Sequence, residues 1–418
     1  MDAIKTYGKF IKQYSESHPA VSRRMIDVGL RLEQARVRFL SDKRMPLAYR
    51  ELNALAVKMI RKGLANPRET AWTNLFSPVE ILQCFDLNCL SLEAISSFFS
   101  GFTIEDHFIN LAEGAGIAPT LCSYHKCFLG GMLSGVLPVP KLATTTSTVC
   151  DANFNTFRLA GQKTGLPLFY LDIPAEESPS SVQYTVQQLK DLISFLEEHT
   201  GKKFDIDRLR EMLHRENLSH KHYLRYYREK KTRFYPTTLT LQMYELFASH
   251  LSIGSEESLH FYRSLDKEIR EYPEFQGKRL WWVHLLPFYH PILKDALNFS
   301  DSYQIQGFEM NLDYTKELDV DHPLEALALK MIRNLYNRPF KAKQDFVVKA
   351  AKALNCDGAI HFCHWGCKQS IGGVTLIKDA FDRAGIPMLI LDGDGIDRRN
   401  DMPGQIKTRL EAFLEVLH

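Results

Sequence analysis

The chain is short of the features that most quickly place a protein. No apolar run approaches the roughly 20 residues that a membrane-spanning helix needs, and the opening MDAIKTYGKFIKQY lacks the apolar core of a signal peptide. These absences predict a cytoplasmic protein without membrane contact. Excess charge is also missing: 52 Lys and Arg against 50 Asp and Glu leave a net charge of +2, which argues against a nucleic-acid-binding surface. There is no P-loop and no complete GxGxxG, so the chain is not expected to hydrolyse ATP itself. A CxxCxxC ferredoxin run is absent, and the two tight pairs present, Cys122-x4-Cys127 and Cys363-x3-Cys367, lie in large domains that need no structural-zinc staple.

What is present is an ordinary globular composition, 45% apolar and 24% charged, in 418 residues. That length exceeds one ordinary core and implies two or three domains. Eight cysteines in a cytosolic chain are expected to be reduced. Clustered, reduced thiols point to metal binding or redox chemistry more than to a disulfide framework.

The grammar changes along the chain. Residues 1–75 are charged and read as a helical N-terminal section, with an amphipathic stripe through ESHPAVSRRMIDVGLRLEQARVRFL. Residues 76–178 read as a first α/β lobe, in which KLATTTSTVC, DANFNTFRLAGQKT and GLPLFYLDIP form a βαβ unit. Residues 179–275 are dominated by helical patterns and read as a connector. Residues 276–418 read as a second α/β lobe, with RLWWVHLLP, YQIQGFEMNLD, DGAIHFCHW and IPMLILDGD as strands. The expected fold is therefore α/β, with two Rossmann- or flavodoxin-like parallel-sheet lobes and a cleft between them.

An internal echo supports paired lobes. TGLPLFYLDIP (164–174) and AGIPMLILDGD (384–394) share one pattern, and each follows a helix-length segment that begins shortly after a cysteine. Cys122, Cys150 and Cys367 are read as standing where parallel strands run out, the end of an open α/β sheet at which ligands bind. Thiols gathered there from distant segments predict a metal centre between the lobes. Cys127 and Cys363 lie close enough to these three to share it. Cys356 stands at the opposite end of its strand, and Cys84 and Cys89 read as core residues. His125, His361 and His364 flank the thiols; His364 and His125 lead as proton donors. Gly372 and Gly373 stand near a helix start where backbone N–H groups suit an anion, and LDGDGID reads as a turn.

CSYHKCFLGG, STVCDANF and DGAIHFCHWGCKQS, in this architecture, resemble the 2-hydroxyacyl-CoA dehydratase family, which also holds the benzoyl-CoA reductase subunits and the double-cubane cluster proteins. The resemblance implies that Cys122, Cys150 and Cys367 hold a [4Fe-4S] cluster with one iron open to substrate. It further implies a separate ATP-hydrolysing iron–sulfur activator that delivers a low-potential electron, and an acyl-CoA substrate dehydrated through a ketyl radical. The extra thiols Cys127 and Cys363 resemble the double-cubane branch, whose [8Fe-9S] cluster takes six cysteines from one chain. Cys89 or Cys84 would then be the sixth, and the protein a homodimer that reduces a small molecule. The alternatives are a non-catalytic metal-binding scaffold and a degenerate subunit of a heterodimeric dehydratase.

Overall fold

The structure, a computed structural model, describes residues 3–417. It opens with α1 (Ala3–Tyr14), α2 (Pro19–Leu40) and α3 (Leu47–Ala65). Leu52, Leu55, Ala56, Met59, Ile60 and Gly63 recur at helical spacing along α3 and are all buried, which anchors this section to the body.

The first lobe comprises β1 (Thr70–Thr73), α4 (Val79–Cys84), β2 (Asn88–Ser91), α5 (Leu92–Gly101), α6 (Glu105–Gly114), α7 (Ser123–Leu133), β3 (Leu142–Thr146), α8 (Asp151–Thr164) and β4 (Leu168–Leu171). Its strands are parallel in the order β2-β1-β3-β4. Strand β1 lies inside the stretch read from sequence as helical. Its four residues, TAWT, are all buried, so they show no alternation that would announce a strand. The sheet therefore starts ahead of residue 76.

Helices α9 (Pro179–Thr200), α10 (Ile206–Lys230), α11 (Leu239–Leu246) and α12 (Glu256–Glu268) form the connector, with a π turn at Phe247–Leu251. The second lobe follows as β5 (Lys278–Val283), α13 (Pro291–Leu297), β6 (Tyr303–Phe308), α14 (Pro323–Arg333), α15 (Phe340–Ala353), β7 (Gly358–His364), α16 (Lys368–Ile371), α17 (Val374–Arg383), β8 (Met388–Gly393) and α18 (Pro403–Val416). Its order, β6-β5-β7-β8, is again parallel and repeats that of the first lobe.

The echo is a repeat of geometry. The Ala143 N–H donates to the Pro167 carbonyl at 2.9 Å, and the Ala359 N–H donates to the Pro387 carbonyl at 2.9 Å, so each proline-led edge strand docks on its neighbour in the same way. The residue before each cysteine is left-handed, with φ of 74° at Val149 and 80° at Gly366. In both sheets the order reverses between the first and third strands, and ligands of such sheets bind at the carboxyl ends there.

A buried ionic triad ties three sections together. Lys330 Nζ of α14 lies 2.6 Å from Glu80 of α4 and 2.6 Å from Glu216 of α10. Burial and the Lys330 charge push His220, on the same face of α10 as Glu216, down to about 3. An unfolded imidazole titrates near 6.5. Between about pH 6.5 and pH 3 the unfolded chain therefore binds a proton that the folded chain refuses, and stability falls as pH falls. His220→Phe should flatten the melting-temperature profile between about pH 6.5 and 4; an unchanged slope would show that other groups carry it.

Candidate active site

The loops after β1, β3, β5 and β7 converge with the start of α7. Cys150 is the N-cap residue of α8, in the loop that leaves β3, and Cys367 stands at the start of the single turn α16, in the loop that leaves β7. Cys122 departs from expectation. It is the N-cap residue of α7 and follows α6, not a strand. The ten residues Ser123–Met132 are all buried, so α7 carries no polar stripe to mark it as a helix in the sequence.

The three thiols face one another from both lobes. Burial raises the Cys122 thiol well above its ordinary range, and the negative charges of Cys367, Asp394 and Cys150 raise it further. Burial likewise raises Cys150, against hydrogen bonds from the backbone N–H groups of Ala152 and Asn153, while Cys367 and Glu93 push it up. Backbones also meet: a Cβ on Gly366 would stand 2.7 Å from the Cys122 nitrogen, and φ there is +80°. Only glycine combines that conformation with that approach.

Histidines line the thiols. His364, fully buried at the end of β7, places Nε2 at 3.1 Å from Cys122 Sγ, while its Nδ1 accepts the Gly395 N–H at 2.8 Å. His284, just past β5, lies with Nε2 at 3.3 Å from Cys367 Sγ and adopts φ +68°. Its sequence, LWWVHLLP, offers no spacing that could single it out. His125 meets Thr156 Oγ1 through Nδ1 at 2.9 Å, and burial pushes it down to about 4. His361 points to the other face of β7, where Nε2 donates to the Ser370 carbonyl at 2.7 Å. Glu93, in the first turn of α5, is a second residue missed from sequence. Burial pushes it up to about 7, and its Oε2 is shut off from solvent without a partner. A cavity of about 50 Å³ reaches Thr148, close to Cys150, and is also lined by Phe76, His250, Asp313, Lys330 and Met331.

The remaining thiols are not gathered here. Cys127, further along α7, is fully buried, and its strongest charged neighbours are Glu105, Asp397 and Asp106. Cys363 lies on the face of β7 opposite His364, against Asp392 and Arg409, although Cys367 is near enough to add to its rise to about 12. Cys89 on β2 points its thiol at the Leu87 carbonyl, with Glu80 and Lys62 as charged neighbours. Cys84 Sγ packs at 3.7 Å on Met212 Sδ. Cys356 precedes β7, at the end opposite Cys367. Gly373 also plays a part other than anion binding: its missing Cβ makes room for the Phe340 ring. In LDGDGID, Asp394 Oδ1 accepts the N–H groups of Ile396 and Asp397 at 3.0 and 2.9 Å, which closes the expected turn.

Among the described residues, no three His, Cys, Asp or Glu side chains close round one point as a single metal ion requires. Three thiols that repel one another as anions, one buried and two half-buried, instead suit a larger cationic centre, because bound metal charge reverses that repulsion. The donor set is all sulfur on three separate loops, which fits iron–sulfur ligation, where each thiolate takes a different iron.

Comparison with known proteins agrees with this architecture. Residues 74–417 match the family model described as 2-hydroxyglutaryl-CoA dehydratase, D-component. The (R)-2-hydroxyisocaproyl-CoA dehydratase alpha subunit of Clostridioides difficile is 21% identical over 85% of this chain and 92% of its own. The (R)-phenyllactyl-CoA dehydratase alpha subunit of Clostridium sporogenes is 22% identical over 73% and 79%, and a benzoyl-CoA reductase subunit of Thauera aromatica is 24% identical over 81% and 86%. The family match begins at the first residue after β1 and spans both lobes with all three facing thiols, so the chain belongs to the 2-hydroxyglutaryl-CoA dehydratase D-component family.

Proposed function

We propose that this chain is an iron–sulfur enzyme of that family which dehydrates a 2-hydroxyacyl-CoA, with Cys122, Cys150 and Cys367 as the cluster ligands. The observation that carries the proposal is the meeting of these three thiols between the two lobes. Held by Cys122, Cys150 and Cys367, a [4Fe-4S] cluster would supply one-electron chemistry there. The electron comes from a separate ATP-hydrolysing iron–sulfur activator, in keeping with the absence of a nucleotide loop in this chain.

The chain's own residues divide the remaining work. Helices α7 and α8 present their N-terminal ends to Cys122 and Cys150, which favours thiolates there. Phe76, Leu75 and Met331 give the adjoining cavity an apolar wall, with Glu80, His250, Asp313 and Lys330 also lining it. Glu93, titrating near neutrality beside Cys150, suits the transfer of a substrate proton. Burial holds His125 as a neutral ring at physiological pH, with Nδ1 engaged by Thr156. We place the protein in the cytoplasm as a homodimer.

Anaerobic purification, iron and acid-labile sulfide counts, and EPR after reduction test the reading. About four irons per chain is expected, with dehydration of a 2-hydroxyacyl-CoA when an activator and ATP are added. About twice that iron would move the assignment to a double cubane and a small reducible substrate, because Cys127 and Cys363 would then have to join. Stoichiometric zinc in a colourless protein would overturn it in favour of a metal-binding scaffold.

A further inference from the structure

Two of the three facing thiols are each met by a buried imidazole, and backbone geometry fixes which proton one of those rings carries. The Gly395 amide can only donate, and it donates to His364 Nδ1 at 2.8 Å. Nδ1 is therefore bare, and the neutral ring carries its proton on Nε2, 3.1 Å from Cys122 Sγ. The nearby carboxylate does not compete for this proton. Asp394 Oδ1 lies 3.7 Å from Nδ1, not from Nε2, and is already served by Ser123 Oγ at 2.5 Å and by the Ile396 and Asp397 amides. The Tyr124 ring packs edge-on against the imidazole at 5.5 Å and holds it in place.

His284 repeats the contact on Cys367 at 3.3 Å. It does so from a left-handed backbone that a non-glycine residue adopts only with strain. Its Nδ1 is buried without a partner. With the proton on Nε2 facing a thiolate, Nδ1 is left as a bare acceptor, the less demanding of the two possible orphans. Cys150 has no such ring; the amides of Ala152 and Asn153 serve it instead.

We infer that His364 and His284 are positioning residues that donate Nε2–H hydrogen bonds to the Cys122 and Cys367 thiolates, drawing negative charge from the sulfurs and so raising the potential at which the centre they hold accepts an electron. This rests on the reading of those cysteines as cluster ligands. It also gives His364 a different task from proton delivery to substrate, because both of its ring nitrogens are engaged. The physical basis is that hydrogen bonds to thiolate sulfur stabilise the more negative, reduced state of an iron–sulfur centre.

The test joins a potential to a tautomer. In EPR-monitored redox titrations of reconstituted protein, His364→Phe should retain wild-type iron. At a fixed applied potential it should show about a tenfold lower ratio of reduced to oxidised centre, which is about 59 mV for one electron. His284→Phe should move the same way, and His364→Gln, whose amide both accepts and donates, should restore most of the change. Full iron with an unchanged potential in both Phe variants would overturn the inference and leave the cluster reading standing. Nitrogen-15 NMR of selectively histidine-labelled, cluster-free protein supplies the second arm: His364 should show a protonated Nε2 whose shift moves in Cys122→Ala. Protonation at Nδ1, or an Nε2 signal indifferent to Cys122→Ala, would overturn the donor geometry itself. A wild-type chain that takes up no iron would overturn the cluster reading and the tuning role with it.

Discussion

Cys150→Ala should empty most of the iron from the anaerobically purified protein, from about four irons per chain to below about one. Cys122→Ala and Cys367→Ala should do the same. A cluster held by three protein thiolates loses a corner with each substitution, and the two thiols left face each other across a cleft with their mutual repulsion no longer offset. The comparison that gives this result meaning is with cysteines at other positions. Cys356→Ala and Cys89→Ala should retain full iron, because the first lies at the far end of β7 and the second faces the Leu87 carbonyl. Cys127→Ala and Cys363→Ala carry the sharper information. Retention of iron agrees with their places beside Glu105 and Arg409, whereas loss would draw them into the centre. Iron and sulfide assays, with far-UV circular dichroism to show that each variant folds, decide among these outcomes. Unchanged iron in Cys150→Ala would sink the ligand assignment.

Lys330→Met carries the largest expected loss of stability. The lysine lies between Glu80 and Glu216, which are 3% and 0% exposed at the side chain, and it is the cation both carboxylates bond at 2.6 Å. Its removal leaves two like charges buried together, and breaking a buried pair in this way costs about 3–5 kcal/mol. Because the triad joins α4, α10 and α14, the loss falls on the contact of both lobes with the connector. A denaturant midpoint shifted to match, and recovered when Glu80→Gln and Glu216→Gln are added to Lys330→Met, is the expected result. A single-variant shift below about 1 kcal/mol would mean that the carboxylates take up protons or water at little cost.

The lobes are readable in the sequence where local chemistry decides. β-Branched LATTT, aromatic RLWWV and the two Gly-apolar-Pro leaders each declare an edge or a core strand with no help from distant residues. β1 stays hidden because four buried residues carry no period. Cys122 lies among the facing thiols but on a different kind of element from the one expected, since a helix buried on every side reads like a strand end. The site itself is half legible. Cysteines announce themselves by type, so the three thiols can be picked out one by one. Their gathering depends on Gly366 lying against Cys122, a contact between residues far apart in the chain. His284 and Glu93 leave no sequence trace, because a lone histidine or glutamate gains meaning only from what the fold sets opposite it.

The matched strand orders and left-handed residues before Cys150 and Cys367 have a consequence for ancestry. Two copies of one half-sized unit, fused in tandem, would inherit these thiols as a single position counted twice. Cys122 has no such twin: at the start of α15, the helix that precedes the third strand of the second lobe as α7 precedes that of the first, the residue is Pro339. Had the halves kept this residue in common, a fourth thiol would stand at the start of α15. With three thiols rather than four, the asymmetry between two similar halves would, on the proposed reading, be the vacancy through which a reactant enters.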